Sequence, residues 1–255
     1  MENLNNTSRI GRKGYRIVFL LSLSISLLFE CLIFIYTQIN KIDFVLKQDF
    51  RVMAIKSADG DESKIYEDLK KITGVKSVNF VPSSEILKKI ELEDKELYYS
   101  ISSLGKKPVP DIYELEVDDY ALGNMDSFVD NLLKLKGVED VKYKILESYA
   151  IMHFSFYSNF VSVVLSLLIL TLSLLVLMGI MHVGISNFFS SLKNALKWFF
   201  SGVLGSLCAI FFVYVVIYPV KFLSPIWQWP DYSWHFLITI FSGLIGWVFY
   251  QWKKS

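Results

Sequence analysis

Cysteine is nearly absent. Only Cys31 and Cys208 occur in 255 residues, and both fall inside apolar runs, where they act as small apolar groups; no disulfide framework is available. Histidine is scarce too: His153, His182 and His235 stand alone, without an HExxH pattern or Cys/His spacing, which argues against a zinc centre and favours interfacial side chains. No G-x-x-x-x-G-K-[ST] loop occurs, so any nucleotide energy must come from another chain. Acid is nearly missing from both flanks, which hold only Glu2, Glu30 and Asp231. Of 25 acidic residues, 22 lie between Asp43 and Glu147, which makes that segment a solvated domain between apolar ones. A net charge of +1, with no basic stripe interleaved with aromatics, gives no sign of a nucleic-acid partner.

What the flanks do contain is lipid-compatible sequence. Four runs have the length and composition of membrane spans: residues 17–36, 159–181, 198–218 and 234–252. The first is read as a span and not a cleaved leader, because its apolar run is long and "FIYTQINKI" offers no small-residue cleavage site. Lysine and arginine set the orientation. The basic segment 1–16, with Arg9, Arg12, Lys13 and Arg16, the connection 182–197 with Lys193 and Lys197, and the tail 253–255 all fall on one side, predicted to be cytoplasmic. The loop 219–233 and the domain 41–149 then lie outside, with Trp227, Trp229, Tyr232 and Trp234 as an interfacial belt.

The outer segment carries an internal repeat. "LKKITGVKSVNFV" (Leu69 to Val81) and "LLKLKGVEDVKYKI" (Leu132 to Ile145) each read as a helix end, a capping glycine (Gly74, Gly137) and an alternating strand. "FRVMAIKS" and "DIYELEV" supply a strand before each helix; Pro108 and Pro110 deliver the second already extended. The prediction is an α+β, ferredoxin-like domain of two β-α-β units between the first and second of four transmembrane helices.

Between the units, residues 83–105 read as a helical lobe with Ser84 as N-cap. Leu87, Ile90, Leu97, Ile101 and Leu104 form a stripe expected to pack on the sheet. Leu92, Tyr98 and Tyr99 fall off it. They either complete a local core or, with Leu97, Ile101 and Leu104, offer an outside partner apolar and aromatic contact area.

Glu30 is the one acid inside a span. It should face the bundle interior, either fixing packing through serines of neighbouring spans or acting as a switch point whose partner changes.

Several stretches resemble the FtsX family, the membrane subunit of a bacterial ABC-type complex at the division site. "KPVPDIYEL" is similar to that family's Asn-Pro-Leu-Pro-Asp-Ser-Phe-Glu-Val, through Pro108, Pro110, Asp111 and Glu114. "GVKSVNFVPSSEIL" and "LKGVEDVKY" resemble its two Gly-Val-x-x-Val stretches, the former with Ile86 where alanine is usual. The resemblance implies a non-enzymatic homodimer in the bacterial cytoplasmic membrane, with both termini cytoplasmic. It implies an FtsE-like ATPase partner, which would bind the ATP, and an outside peptidoglycan hydrolase or its coiled-coil activator. This chain itself would need no cofactor. The cytoplasmic connection departs from the family's longer charged segment, because "HVGISNFFSSLKNALK" holds no acid. Arg12, Lys13, Arg16, Lys193, Asn194 and Lys197 are therefore the expected contacts with the ATPase or with anionic lipid. An ATPase-independent receptor for a cell-wall enzyme, or a lipid or peptide permease, are the alternatives.

Overall fold

The computed structural model describes residues 2–105 and 108–254, with side chains from Gly14 to Gly105 and from Pro108 to Lys253. Two compact units result. One is Asp43–Phe154; the other joins the segment up to Ile42 with the segment from Ser155 onward.

The first unit follows the predicted repeat. Strand β1 (Val52–Lys56), helix α2 (Glu62–Lys70) and strand β2 (Val75–Val81) precede helices α3 (Ser83–Glu93) and α4 (Lys95–Ser102). Strand β3 (Ile112–Val117), helices α5 (Asp119–Gly123) and α6 (Met125–Leu133), and strand β4 (Val138–Tyr143) complete it. The sheet order is β2-β3-β1-β4, and every neighbouring pair is antiparallel. Alternation decides the faces: β3 buries Tyr113, Leu115 and Val117 and leaves Glu114 and Glu116 on the other side. Ile65 and Leu69 of α2, with Phe128 and Leu132 of α6, close over the same core. Ile151 is fully buried in it as well.

Gly74 and Gly137 have φ of +98° and +97°, as expected of glycine after a helix. They do not cap the helices, however. Lys71 and Lys134 hold the cap positions, and each glycine comes three residues later in a matching turn, where Val75 and Val138 donate back to Ile72 and Leu135. Asp61 and Asp118 are likewise paired as N-caps, their carboxylates accepting from Ser63 N–H at 3.1 Å and Ala121 N–H at 3.0 Å.

The lobe departs from expectation. Ser84 is not the N-cap: Pro82 stands there, and the first helical N–H, from Ser83, is taken by the Asp111 carboxylate at 2.8 Å. The stripe is not fully buried either: Leu87, Ile90 and Ile101 are half-buried, and Leu97 and Leu104 are exposed. Asp94 breaks the run with extended backbone and caps α4 by accepting from Leu97 N–H at 3.0 Å. A side chain that can satisfy a helix start tends to create one.

In the second unit, helices α1 (Glu2–Asp49), α7 (Ile145–Val183), α9 (Leu196–Ile217) and α10 (Tyr232–Lys254) dominate. Among the described residues, four helices are long and apolar enough to cross a membrane. Helix α1 runs on past residue 36, and α7 begins well before residue 159. Neither Gly nor Pro interrupts residues 15–49 or 145–178, so nothing in the sequence stops those helices where the apolar composition stops. Helices α1, α9 and α10 approach closely at small residues: Cβ atoms at Gly202, Gly205 and Gly246 would lie 2.0, 2.6 and 2.3 Å from the backbone oxygens of Ser242, Phe19 and Trp198. Ser26 and Ser242 share a hydroxyl hydrogen bond of 2.8 Å at the same contact.

Candidate functional site

The lobe leaves several apolar side chains uncovered. Leu92 (86% exposed), Leu104 (78%) and Tyr99 (71%) stand in solvent, and Leu97 is exposed as well. Tyr98 and Ile101 are half-buried, and the Tyr98 ring meets Tyr99 edge-on at 5.7 Å. Asp111, on the strand side of the joint, ties the start of α3 to the approach to β3 through its bond to Ser83.

Glu30, the acid inside the first apolar run, has a partner that sequence reasoning did not pair with it. Glu30 on α1 is 1% exposed, and its two carboxylate oxygens lie 2.9 and 2.8 Å from Nδ1 of His235 on α10. The other ring nitrogen, Nε2, lies 2.7 Å from the Tyr214 hydroxyl on α9. Trp229 stacks flat on Tyr214 at 5.0 Å, with Trp227 and Phe34 beside it. The neighbouring serines bond elsewhere: Ser22 and Ser26 both reach Ser242. The signal available in the sequence was the position of His235, one residue after Trp234 at the start of the last apolar run, level with an acid that lacked a counter-charge.

At the opposite end, the connection folds into a 3-10 turn (Ile185–Asn187) and helix α8 (Phe188–Asn194). Ser191 pins α8 to α10 by accepting from Trp247 Nε1 at 3.0 Å and Gln251 Nε2 at 2.6 Å, and Ala195 is fully buried. Lys193, Asn194 and Lys197 are left exposed, as is Arg16. The side chains of Arg12 and Lys13 lie outside the described residues. Among the described residues, no group of three or more His, Cys, Asp or Glu gathers where it could hold a metal.

Residues 40–146 match the family model described as the FtsX extracellular domain. Over that segment the chain carries an FtsX-type extracellular domain. Two solved FtsX structures from Streptococcus pneumoniae are similar to it. The crystal structure of extracellular domain 1 of FtsX in complex with undecyl-maltoside is 19% identical, covering 36% of this chain and 92% of its own, with a TM-score of 0.31. The solution structure of the large extracellular loop of FtsX is 22% identical, covering 37% and 98%, with a TM-score of 0.32. No curated protein matches the chain. The FtsX match begins and ends close to the limits of the α+β unit and takes in the whole lobe.

Proposed function

We propose that the chain is the non-catalytic membrane subunit of an FtsE/FtsX-like ABC complex. It carries the nucleotide state of a cytoplasmic ATPase to a peptidoglycan hydrolase, or to a coiled-coil activator of one, outside the cell during division. The observation that carries this reading is the FtsX extracellular domain at residues 40–146, flanked by one helix and then three more with the length and apolarity of membrane spans. The antiparallel order β2-β3-β1-β4 supports a ferredoxin-like description of that domain. The exposed Leu92, Tyr99 and Leu104 support the lobe as the outside contact, and the exposed Lys193, Asn194 and Lys197 beside an anchored α8 support the connection as the ATPase or lipid contact. ATP belongs to the partner. The working form is a homodimer in the bacterial cytoplasmic membrane, at the division site, with both termini cytoplasmic. Such a machine shifts the outside equilibrium only by the difference between the ATPase's affinities for its two states.

The test is affinity purification of the full chain from native membranes with mass spectrometry of what accompanies it. Recovery of an ABC ATPase together with a wall hydrolase or its activator supports the transmitter. A hydrolase without the ATPase moves the reading to an ATPase-independent receptor, an alternative favoured by the short acid-free connection.

A further inference from the structure

We propose that the start of α6 and the first turns of α7 line a binding site for a small neutral saccharide. The site lies wholly within the α+β unit and does not depend on the signalling role.

The cavity measures about 250 Å³, and polar and apolar groups share its lining. Helix α6 starts without a side-chain cap. Asn124 stands at its N-cap position with no capping bond, whereas Asp61 and Asp118 serve the starts of α2 and α5. The first N–H groups of a helix have no partner within it, so those of Met125, Asp126 and Ser127 remain as donors beside the cavity. The Asn124 amide nitrogen donates to the Tyr120 carbonyl at 3.1 Å, which leaves its side-chain oxygen to accept.

Ser148 adds a buried donor. It is 7% exposed, yet its hydroxyl has no partner among the described residues. Ser166 and Thr171, farther along α7, turn back to carbonyls of their own helix; Ser148 does not. A buried hydroxyl left so is unfavourable unless an occupant completes it, and the surface that Ser148 keeps opens into this cavity.

The chemistry of the walls selects the occupant. Tyr143, half-buried and edge-on to Phe50 at 6.4 Å, and Tyr149, exposed on α7, supply aromatic rings. Burial and the charges of Asp126 and Tyr149 raise the Tyr143 pKa, which puts these three groups close together. An anion would meet the Asp126 carboxylate with no lysine or arginine among the described lining residues, and a metal ion would find only that one carboxylate. An ammonium group would face the positive start of α6. A sugar ring suits every wall: its hydroxyls accept from the free N–H groups and from Ser148 and donate to Asp126, while its C–H face covers a tyrosine ring. The volume lies below the roughly 300–1,000 Å³ of sites for drug-sized ligands, in keeping with a single ring.

The test is ligand-observed NMR on the full chain in lipid nanodiscs, with N-acetylglucosamine and methyl β-glucoside as probes and inorganic phosphate and ethanolamine as controls. At least one sugar should bind and neither control should. Ser148→Ala should weaken binding about fivefold, the worth of one hydrogen bond, and Tyr149→Ala about tenfold, while Tyr149→Phe keeps the ring and the affinity. Asp126→Asn, at an exposed position, gives a second reading if Ser148→Ala unsettles the core, and should also weaken binding several-fold; circular dichroism separates a lost site from a lost fold. Discs containing a glycosyl diacylglycerol distinguish the sources: suppressed sugar binding marks a lipid headgroup as the occupant, and unchanged binding marks a soluble or wall glycan. Binding of phosphate or ethanolamine in place of sugar, no binding by any probe, or sugar binding that folded Tyr149→Ala and Asp126→Asn variants leave unchanged would overturn the proposal.

Discussion

At the scale of single residues, Tyr113 carries the clearest solution signature. Its ring is fully buried under the sheet, its hydroxyl donates to the Glu62 carbonyl at 3.0 Å, and burial, reinforced by the charges of Glu62, Asp111 and Asp61, pushes its pKa up to about 12. An unfolded tyrosine loses its proton near pH 10. Between those values the unfolded chain has released a proton that the folded one keeps, so stability is intact below about pH 10 and declines as pH rises towards 12. Ultraviolet titration of the domain should show the last phenolate appearing together with unfolding, and Tyr113→Phe should remove that late step. Gly74 and Gly137 make a second expectation. Besides their positive φ, a Cβ at Gly74 would lie 2.7 Å from the Ala121 Cβ and one at Gly137 2.6 Å from the Ile65 Cδ1. Alanine at either should cost about 1–3 kcal/mol in thermal or denaturant unfolding. Both glycines were legible in the sequence because a turn leaves a local mark. The partnership of Glu30 with His235 was not, since 205 residues separate them and only the folded bundle brings them together.

Individual elements show where periodicity informs and where it misleads. Strand β3 obeyed its alternation because one face meets a core and the other water. The lobe's helical stripe, equally regular on paper, is nowhere fully buried; period alone says which side chains share a face, not how completely that face is covered. Replacing Leu92, Tyr98 and Tyr99 together by serine should therefore leave the domain's unfolding midpoint nearly unchanged, within about 0.5 kcal/mol per exposed position. The same variant should weaken capture of the outside hydrolase or activator. A collapsed unfolding midpoint would mean that the lobe packs after all. On α8, photo-crosslinkers at Ser190 and Asn194 should capture the ATPase, because the helix is pinned through Ser191 while Lys193 and Lys197 remain outward. Adducts with lipid and no protein would instead favour the receptor reading.

For the whole molecule, the division into an acid-rich α+β unit and an apolar helical one was readable from charge segregation alone. The limits of the units were not, because α1 and α7 continue past the places where composition changes. That matters for any excised domain. A fragment ending at residue 147 omits Ile151, which the core buries completely, so one ending at Phe154 should be more stable by about 1.5–3 kcal/mol, the worth of a buried isoleucine, in paired denaturant titrations. Both should give dispersed amide spectra as monomers. The order β2-β3-β1-β4 has one more consequence, for the history of the chain as it is made. The first repeat contributes β1 and β2, the second β3 and β4, and no strand lies beside another from its own repeat. When the first repeat has been synthesised it therefore has helices but no ladder to form, and its strands must wait, unpaired, for the ribosome to deliver the second. The two halves of the repeat are thus halves in sequence and not in assembly: neither β1 nor β2 has a partner until β3, which pairs with both, has been made.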